Sequence, residues 1–146
     1  LHPVVYQAFQ ELCQPLDVRG SVLEIGAVAG SESLLHLPAL ENASSRTGLN
    51  QESQGDGILI GNSNSMPQFA DGQFNLVLSN ATLEHDPYFW KTLAEMKRVL
   101  APGGRLLIGV PGYGEMPRPG LFDRIFRLRS RLASAPTLGV HNYPGD

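Results

Sequence analysis

Residues 21–30 read Ser21-Val22-Leu23-Glu24-Ile25-Gly26-Ala27-Val28-Ala29-Gly30. A short apolar run closed by glycine has the length and flanks of a buried strand. The glycines allow a tight turn, and Gly30-Ser31-Glu32-Ser33 then opens a helical stretch through Leu34, Leu35 and Leu37 that Pro38 cuts short. A strand that turns through glycine into a helix is the start of a parallel crossover.

The alternation continues outward from there. Ahead of it, Pro3–Cys13 reads as a helix with Val4, Val5, Phe9 and Leu12 on one stripe. Behind it, Arg46–Asn50 is a weak second strand, Gly57–Gly61 a third, and Phe74–Ser79 a fourth and the most apolar. Residues 87–100 form the clearest helix, with Phe89, Leu93, Met96, Val99 and Leu100 on one side. Pro102-Gly103-Gly104 ends it, and Arg105–Val110 is a fifth strand. Strands alternating with helices through short glycine-rich turns predict an α/β fold, a doubly wound and mostly parallel sheet.

Composition narrows the classes. The chain has 146 residues, 42% of them hydrophobic and 17% charged, which suits one domain with a real core. No apolar run is long enough to span a bilayer, and no secretory leader layout opens the sequence, so a cytoplasmic protein is expected. Cys13 is the single cysteine, and His2, His36 and His141 are scattered, so neither a disulfide framework nor a metal site is expected. Cys13 reads as a small buried apolar residue. Residues 1–117 carry six Lys/Arg against twelve Asp/Glu, which argues against nucleic acid as a partner.

In doubly wound sheets, ligands sit outside the carboxyl ends of the strands. The turn at Gly26 and Gly30 is therefore the first candidate site. It is not a dinucleotide fingerprint, because Val28 and Ser31 stand at two of its glycine positions, and no Gly-Lys-Ser/Thr follows to make a phosphate loop. A tight turn with no ligand remains the alternative for this segment alone.

Four segments in order change that balance. They are Glu24-x-Gly26-x-x-x-Gly30, then Phe69-Ala-Asp-Gly-Gln-Phe74-Asn75-Leu-Val, then Ala81-Thr-Leu-Glu84-His85, then Glu95-Met-Lys-Arg98-Val-Leu-Ala-Pro102-Gly103-Gly104-Arg-Leu-Leu-Ile. Together they resemble the class I S-adenosylmethionine-dependent methyltransferases, closest to the small-molecule, type 11-like subgroup, over residues 20–112. The resemblance implies a Rossmann-like sheet of order 3-2-1-4-5, S-adenosylmethionine as cofactor, and methyl transfer to a small molecule.

It also implies roles. Glu24, Gly26 and Gly30 would line the pocket around the amino-acid part of the cofactor. Asn50 falls where the family has an acid gripping the ribose hydroxyls, and Asn62 and Ser63 fall where an Asp reads the adenine amine. Ser79 and Asn80 would border the methionyl group and face the substrate. Val28 replaces a glycine, and Asn50, Asn62 and Asn75 each stand where an Asp is usual. A neutral amide loses the charge assistance of a carboxylate, so an acid restored at position 50 is expected to tighten binding. These departures also leave open an alternative function, a non-catalytic binding or scaffolding domain that kept the fold and lost the cofactor.

His85 is the candidate catalytic base, should the acceptor need to lose a proton. The plainer reading has it packed at the sheet edge on a backbone carbonyl. Glu84 and Asp86 are expected to cap or orient the helix near Pro87, and Tyr88, Phe89 and Trp90 to pack in the core.

The tail differs from the body: residues 118–146 carry five Arg against Asp123 and Asp146. An amphipathic basic helix is expected over 118–134, as a cover for the sheet or as a lid favouring an anionic substrate, with an extended turn-rich terminus over 137–146. The family's terminal sixth and seventh strands have no counterpart after Val110, so the domain over 1–146 is expected to be incomplete at its C-terminus. Strand five is then an edge that the basic helix or a homodimer would cover.

Overall fold

The centre of the fold is a strand buried on both faces, β1 (Ser21–Ile25), in a computed structural model that describes residues 1–52, 55 and 57–112. Parallel to it run β2 (Ser45–Asn50) on one side and β4 (Phe74–Asn80) on the other, with β3 (Ile58–Ile60) beyond β2 and β5 (Leu100–Gly109) beyond β4. The order is β3-β2-β1-β4-β5, as the resemblance implies. Everything in this sheet belongs to the first of two compact units, Leu1–Pro111; the second, Gly112–Asp146, is outside the described residues except for Gly112. The basic helix expected over 118–134 and the turn-rich terminus over 137–146 therefore lie outside them too.

Alternation along the strands sends side chains to two cores. Val22, Leu76 and Leu78 pack with Phe9 and Cys13 of α1 (Pro3–Cys13) and with Leu34, Leu37 and Leu40. Leu23, Ile25 and Val77 pack on the other face with Met96 and Val99 of α2 (Phe89–Val99). The Cys13 thiol is fully buried, which pushes its pKa up to about 11 and leaves it an inert filler.

Three expectations change. The crossover after β1 is not an α-helix but three short 3-10 turns, Gly30–Glu32, Leu34–His36 and Pro38–Leu40. Ser33 and Leu37 between them are extended (ψ 138° and 129°), Leu37 because a following proline disfavours the α region. Residues 101–104 bulge out within β5, since Leu100 pairs with Phe74 while Arg105 pairs with Leu76. Tyr88, Phe89 and Trp90 are exposed rather than core, stacked edge to face on one another, and Val4 of α1 is exposed as well. The expected Met96 and Val99 are buried on α2, joined by Thr92 and with Leu93 and Leu100 packed against the same core, so only Phe89 at the first turn leaves the expected stripe.

Candidate functional site

The carboxyl edge of the sheet is where β1 ends and its neighbours diverge. Gly26 has φ +79°, and its amide donates to the Leu49 carbonyl at 2.8 Å. A Cβ there would come within 2.1 Å of Thr82 Oγ1, so the glycine is needed for the turn to pack against the segment after β4. Ala81, in that segment, also has positive φ (+50°), an unusual state for a residue with a side chain.

Two cavities open at this edge and share Gly26 and Ala81 as a common wall. One, of about 280 Å³, lies over β1 and β2 and is lined by Ile25, Leu49, Asn50, Gln51, Glu52, Gly61, Ser63, Thr82, His85 and Asp86. The other, of about 450 Å³, lies on the α1 side against Glu24, Val28, Glu32, Asn80 and residues of the N-terminus. Of the residues expected at a site, Gly26, Asn50, Ser63 and His85 meet in the first cavity, and Glu24, Gly26 and Asn80 in the second. Gly30 lines neither; it faces a separate hollow with Ser33, His36 and Arg46.

Several of these side chains are already engaged. Glu24 is buried and accepts bonds from Ser33 Oγ and the Leu34 and Leu35 amides, so it holds the crossover onto β1. Burial raises its pKa, against the pull of those bonds and of His36. Asn50 donates through Nδ2 to the Ala27 carbonyl at 2.8 Å and accepts the Glu52 amide at 3.2 Å. The amide is therefore in use as a donor. A carboxylate at position 50 would face that carbonyl without a proton, which removes the expectation that an acid there tightens binding. Asn62 turns its Oδ1 to the Asn64 amide at 2.8 Å and does not line either cavity. Asn75 lies at the opposite, amino edge, where its Oδ1 accepts the Ser21 amide at 3.1 Å. Its departure from the family pattern concerns the start of β1 and not the cleft.

Around the first cavity, Asp86 gathers a network. Its carboxylate accepts from Thr92 Oγ1 at 2.6 Å, Asn64 Nδ2 at 2.8 Å and the Tyr88 amide at 2.8 Å. Ser63 Oγ lies 3.0 Å from Thr92 Oγ1. A carboxylate only accepts, so the Thr92 proton goes to Asp86 and the Ser63 proton to Thr92.

The carboxyl end of β4 holds unmet polar groups. Ser79 Oγ and both carboxylate oxygens of Glu84 are buried without a hydrogen-bond partner among the described residues. His85 is exposed, with Nε2 3.9 Å from Glu84, and it makes no bond to a backbone carbonyl among those residues. The plainer reading of His85 as a packed edge residue does not hold.

Sequence reasoning missed Gln51, Glu52, Ala81 and Thr82 as cavity residues and read Asp86 as a helix-capping residue only. Nothing in an alanine announces positive φ. Asp86 does bond the Tyr88 amide, so its local pattern gave a true but incomplete role. Its reach to Asn64 depends on the fold. No group of His, Cys, Asp and Glu side chains suited to a metal occurs among the described residues.

Residues 26–108 match the family described as a methyltransferase domain. Among curated proteins none matches the chain. Of solved structures, a protein from Methanococcus maripaludis described as an S-adenosyl-L-methionine-dependent methyltransferase superposes with a TM-score of 0.60 at 17% identity, over 74% of this chain and 56% of that one. The YcgJ protein of Bacillus subtilis gives 0.57 at 21% identity, over 70% and 50%. Phosphoethanolamine N-methyltransferase 2 of Haemonchus contortus, in complex with phosphomonomethylethanolamine and S-adenosylhomocysteine, gives 0.61 at 18% identity, over 88% and 33%. The chain thus spans about half the length of the first two, and at these identities the likeness is one of fold.

Proposed function

The chain belongs to this family of methyltransferase domains, whose methyl donor is S-adenosylmethionine, and on that premise we propose that it binds the donor at the carboxyl edge of the sheet and methylates a small molecule. The observation that carries the reading is the pair of neighbouring cavities that share Gly26 and Ala81 in their walls, at the point where β1 parts from β2 and β4. The residues present suit the group. Ile25 and Leu49 offer apolar surface for a base, Asn50 to Glu52 and Ser63 offer polar atoms beside it, and Glu24, Val28 and Asn80 border the second cavity. A formed cleft of this kind supports methyl transfer over a domain that kept the fold and lost the cofactor.

Bound there, S-adenosylmethionine supplies a methyl group on a sulfonium, a good leaving group. The protein's task is then alignment more than covalent chemistry. We assign Gly26 and Ala81 to the shared wall that lets donor and acceptor approach; Ser79 and Glu84, whose buried polar atoms find no partner among the described residues, line neither cavity and stand behind that wall. His85, in the lining of the first cavity, is the base for an acceptor that must lose a proton. Among the described residues no helix is long and apolar enough to cross a membrane.

The test is calorimetric titration of the full chain with S-adenosylhomocysteine, together with its melting curve. A ligand at a hundred times its dissociation constant stabilises the native state by about 2.7 kcal/mol, a readily measured shift. No heat and no shift at millimolar ligand would overturn the proposal.

A further inference from the structure

We infer that Glu52, and not the residue that ends β2, is the group with which this chain holds a vicinal diol, the ribose of its cofactor. The inference rests on the reading above and concerns one contact within it. A carboxylate suits a diol because its two oxygens accept two adjacent hydroxyl protons with charge assistance. The first cavity has two carboxylates in its lining, Glu52 and Asp86. Asp86 is committed: Thr92, Asn64 and the Tyr88 amide occupy its oxygens. The carboxylate of Glu52 bonds no described residue and is exposed at the cavity rim.

Asn50 explains how Glu52 comes to be there. Its Nδ2 ties β2 to the Ala27 carbonyl, and its Oδ1 takes the Glu52 amide two residues on. That second bond is a side chain closing a turn on the backbone, and it sets where residue 52 leaves the strand. Asn50 is thus a positioning residue, and the carboxylate has moved two places along the chain. An amide at 50 and an acid at 52 work as a pair: the first must donate to Ala27, which an acid could not do, and the second brings the charge.

The experiment uses the full chain, titrated with S-adenosylhomocysteine, adenosine and 2′,3′-dideoxyadenosine. Wild type should prefer adenosine to the dideoxy compound. Glu52→Gln should weaken S-adenosylhomocysteine about tenfold, the scale of a lost charged hydrogen bond, and should erase that preference. Its melting temperature should stay put, because the side chain is exposed and bonds no partner among the described residues. Asn50→Asp should weaken binding as well, by setting a carboxylate against the Ala27 carbonyl and losing the bond that ties β2 to it. Unchanged affinity and preference in Glu52→Gln, no preference in wild type, or tighter binding by Asn50→Asp each overturns the assignment alone. Wild type that binds none of the three ligands overturns the proposed function and this contact with it.

Discussion

Asn64 Nδ2 lies 2.8 Å from the Asp86 carboxylate, and this bond ties the loop after β3 to the turn after β4. Through Thr92 the same carboxylate also steadies Ser63, on the cavity wall. The two loops come from opposite sides of β1, so the bond spans the mouth of the cleft.

Asp86→Ala should therefore cost about 2 kcal/mol of stability, since it removes the acceptor shared by the Thr92 hydroxyl, the Tyr88 amide and the Asn64 side chain. Burial pushes the Asp86 carboxyl up, but the bonds from Thr92, Tyr88 and Asn64 outweigh it and hold the pKa below the usual value. A depressed carboxylate stabilises the fold above its ordinary pKa and loses that contribution as pH falls through the folded one. Urea denaturation should show the gap between wild type and variant narrowing below about pH 4. A gap that is constant with pH would mean the charge plays no part.

Gly26→Ala should destabilise on two counts: the positive φ, worth roughly 1–2 kcal/mol for a residue with a side chain, and the contact with Thr82 Oγ1. In a Thr82→Ala background the second count should largely disappear and the first remain. A double-mutant cycle in urea measures the difference. Additive losses would show that Thr82 is not what the side chain meets.

Arg98 binds the Met66 and Phe69 carbonyls at 2.8 and 3.0 Å and also holds Asp71 and Glu95, pinning the segment before β4 onto α2. Its hydrogen bond to Glu95 is the main reason the Glu95 carboxyl sits below its ordinary pKa, with burial working against it. Glu95 then stabilises the fold above that ordinary value and ceases to as pH falls. Arg98→Met should lower the melting temperature at pH 7 and flatten the loss of stability between about pH 5 and 3. An unchanged pH profile would argue that the pair is merely a surface contact.

Ala81 tests backbone strain at the wall of the cleft. Ala81→Gly relieves a left-handed residue but loosens the unfolded chain, and the two effects of about 1 kcal/mol should nearly cancel. Ala81→Val should lose about 2 kcal/mol or more, because a branched side chain tolerates positive φ worst. Thermal denaturation of both variants decides it. A valine that is tolerated would show the turn to be adaptable.

What the amino-acid sequence determined by itself was the architecture: five strands in their places, parallel crossovers, and glycine at the first turn. Those signals are local, since a period of two, a run of apolar residues and a glycine act within a few positions of themselves. It also marked the neighbourhood of the site, because in such a sheet the carboxyl ends of the strands are where the chain leaves room. Local signals misled it at Pro38 and Phe89, where a proline broke a crossover helix into turns and the first turn of α2 left its aromatic residue in solvent.

Only the tertiary structure decided what each polar side chain does. Asn50 meets Ala27 across 23 positions and Asn64 meets Asp86 across 22, while Asn75 reaches Ser21 across 54 and so serves the far edge of the sheet. No pattern along the chain distinguishes these three asparagines. A hydrogen bond is directional and short, so its partner is chosen by whichever strand the crossovers bring alongside, and that choice is made only when the sheet has closed.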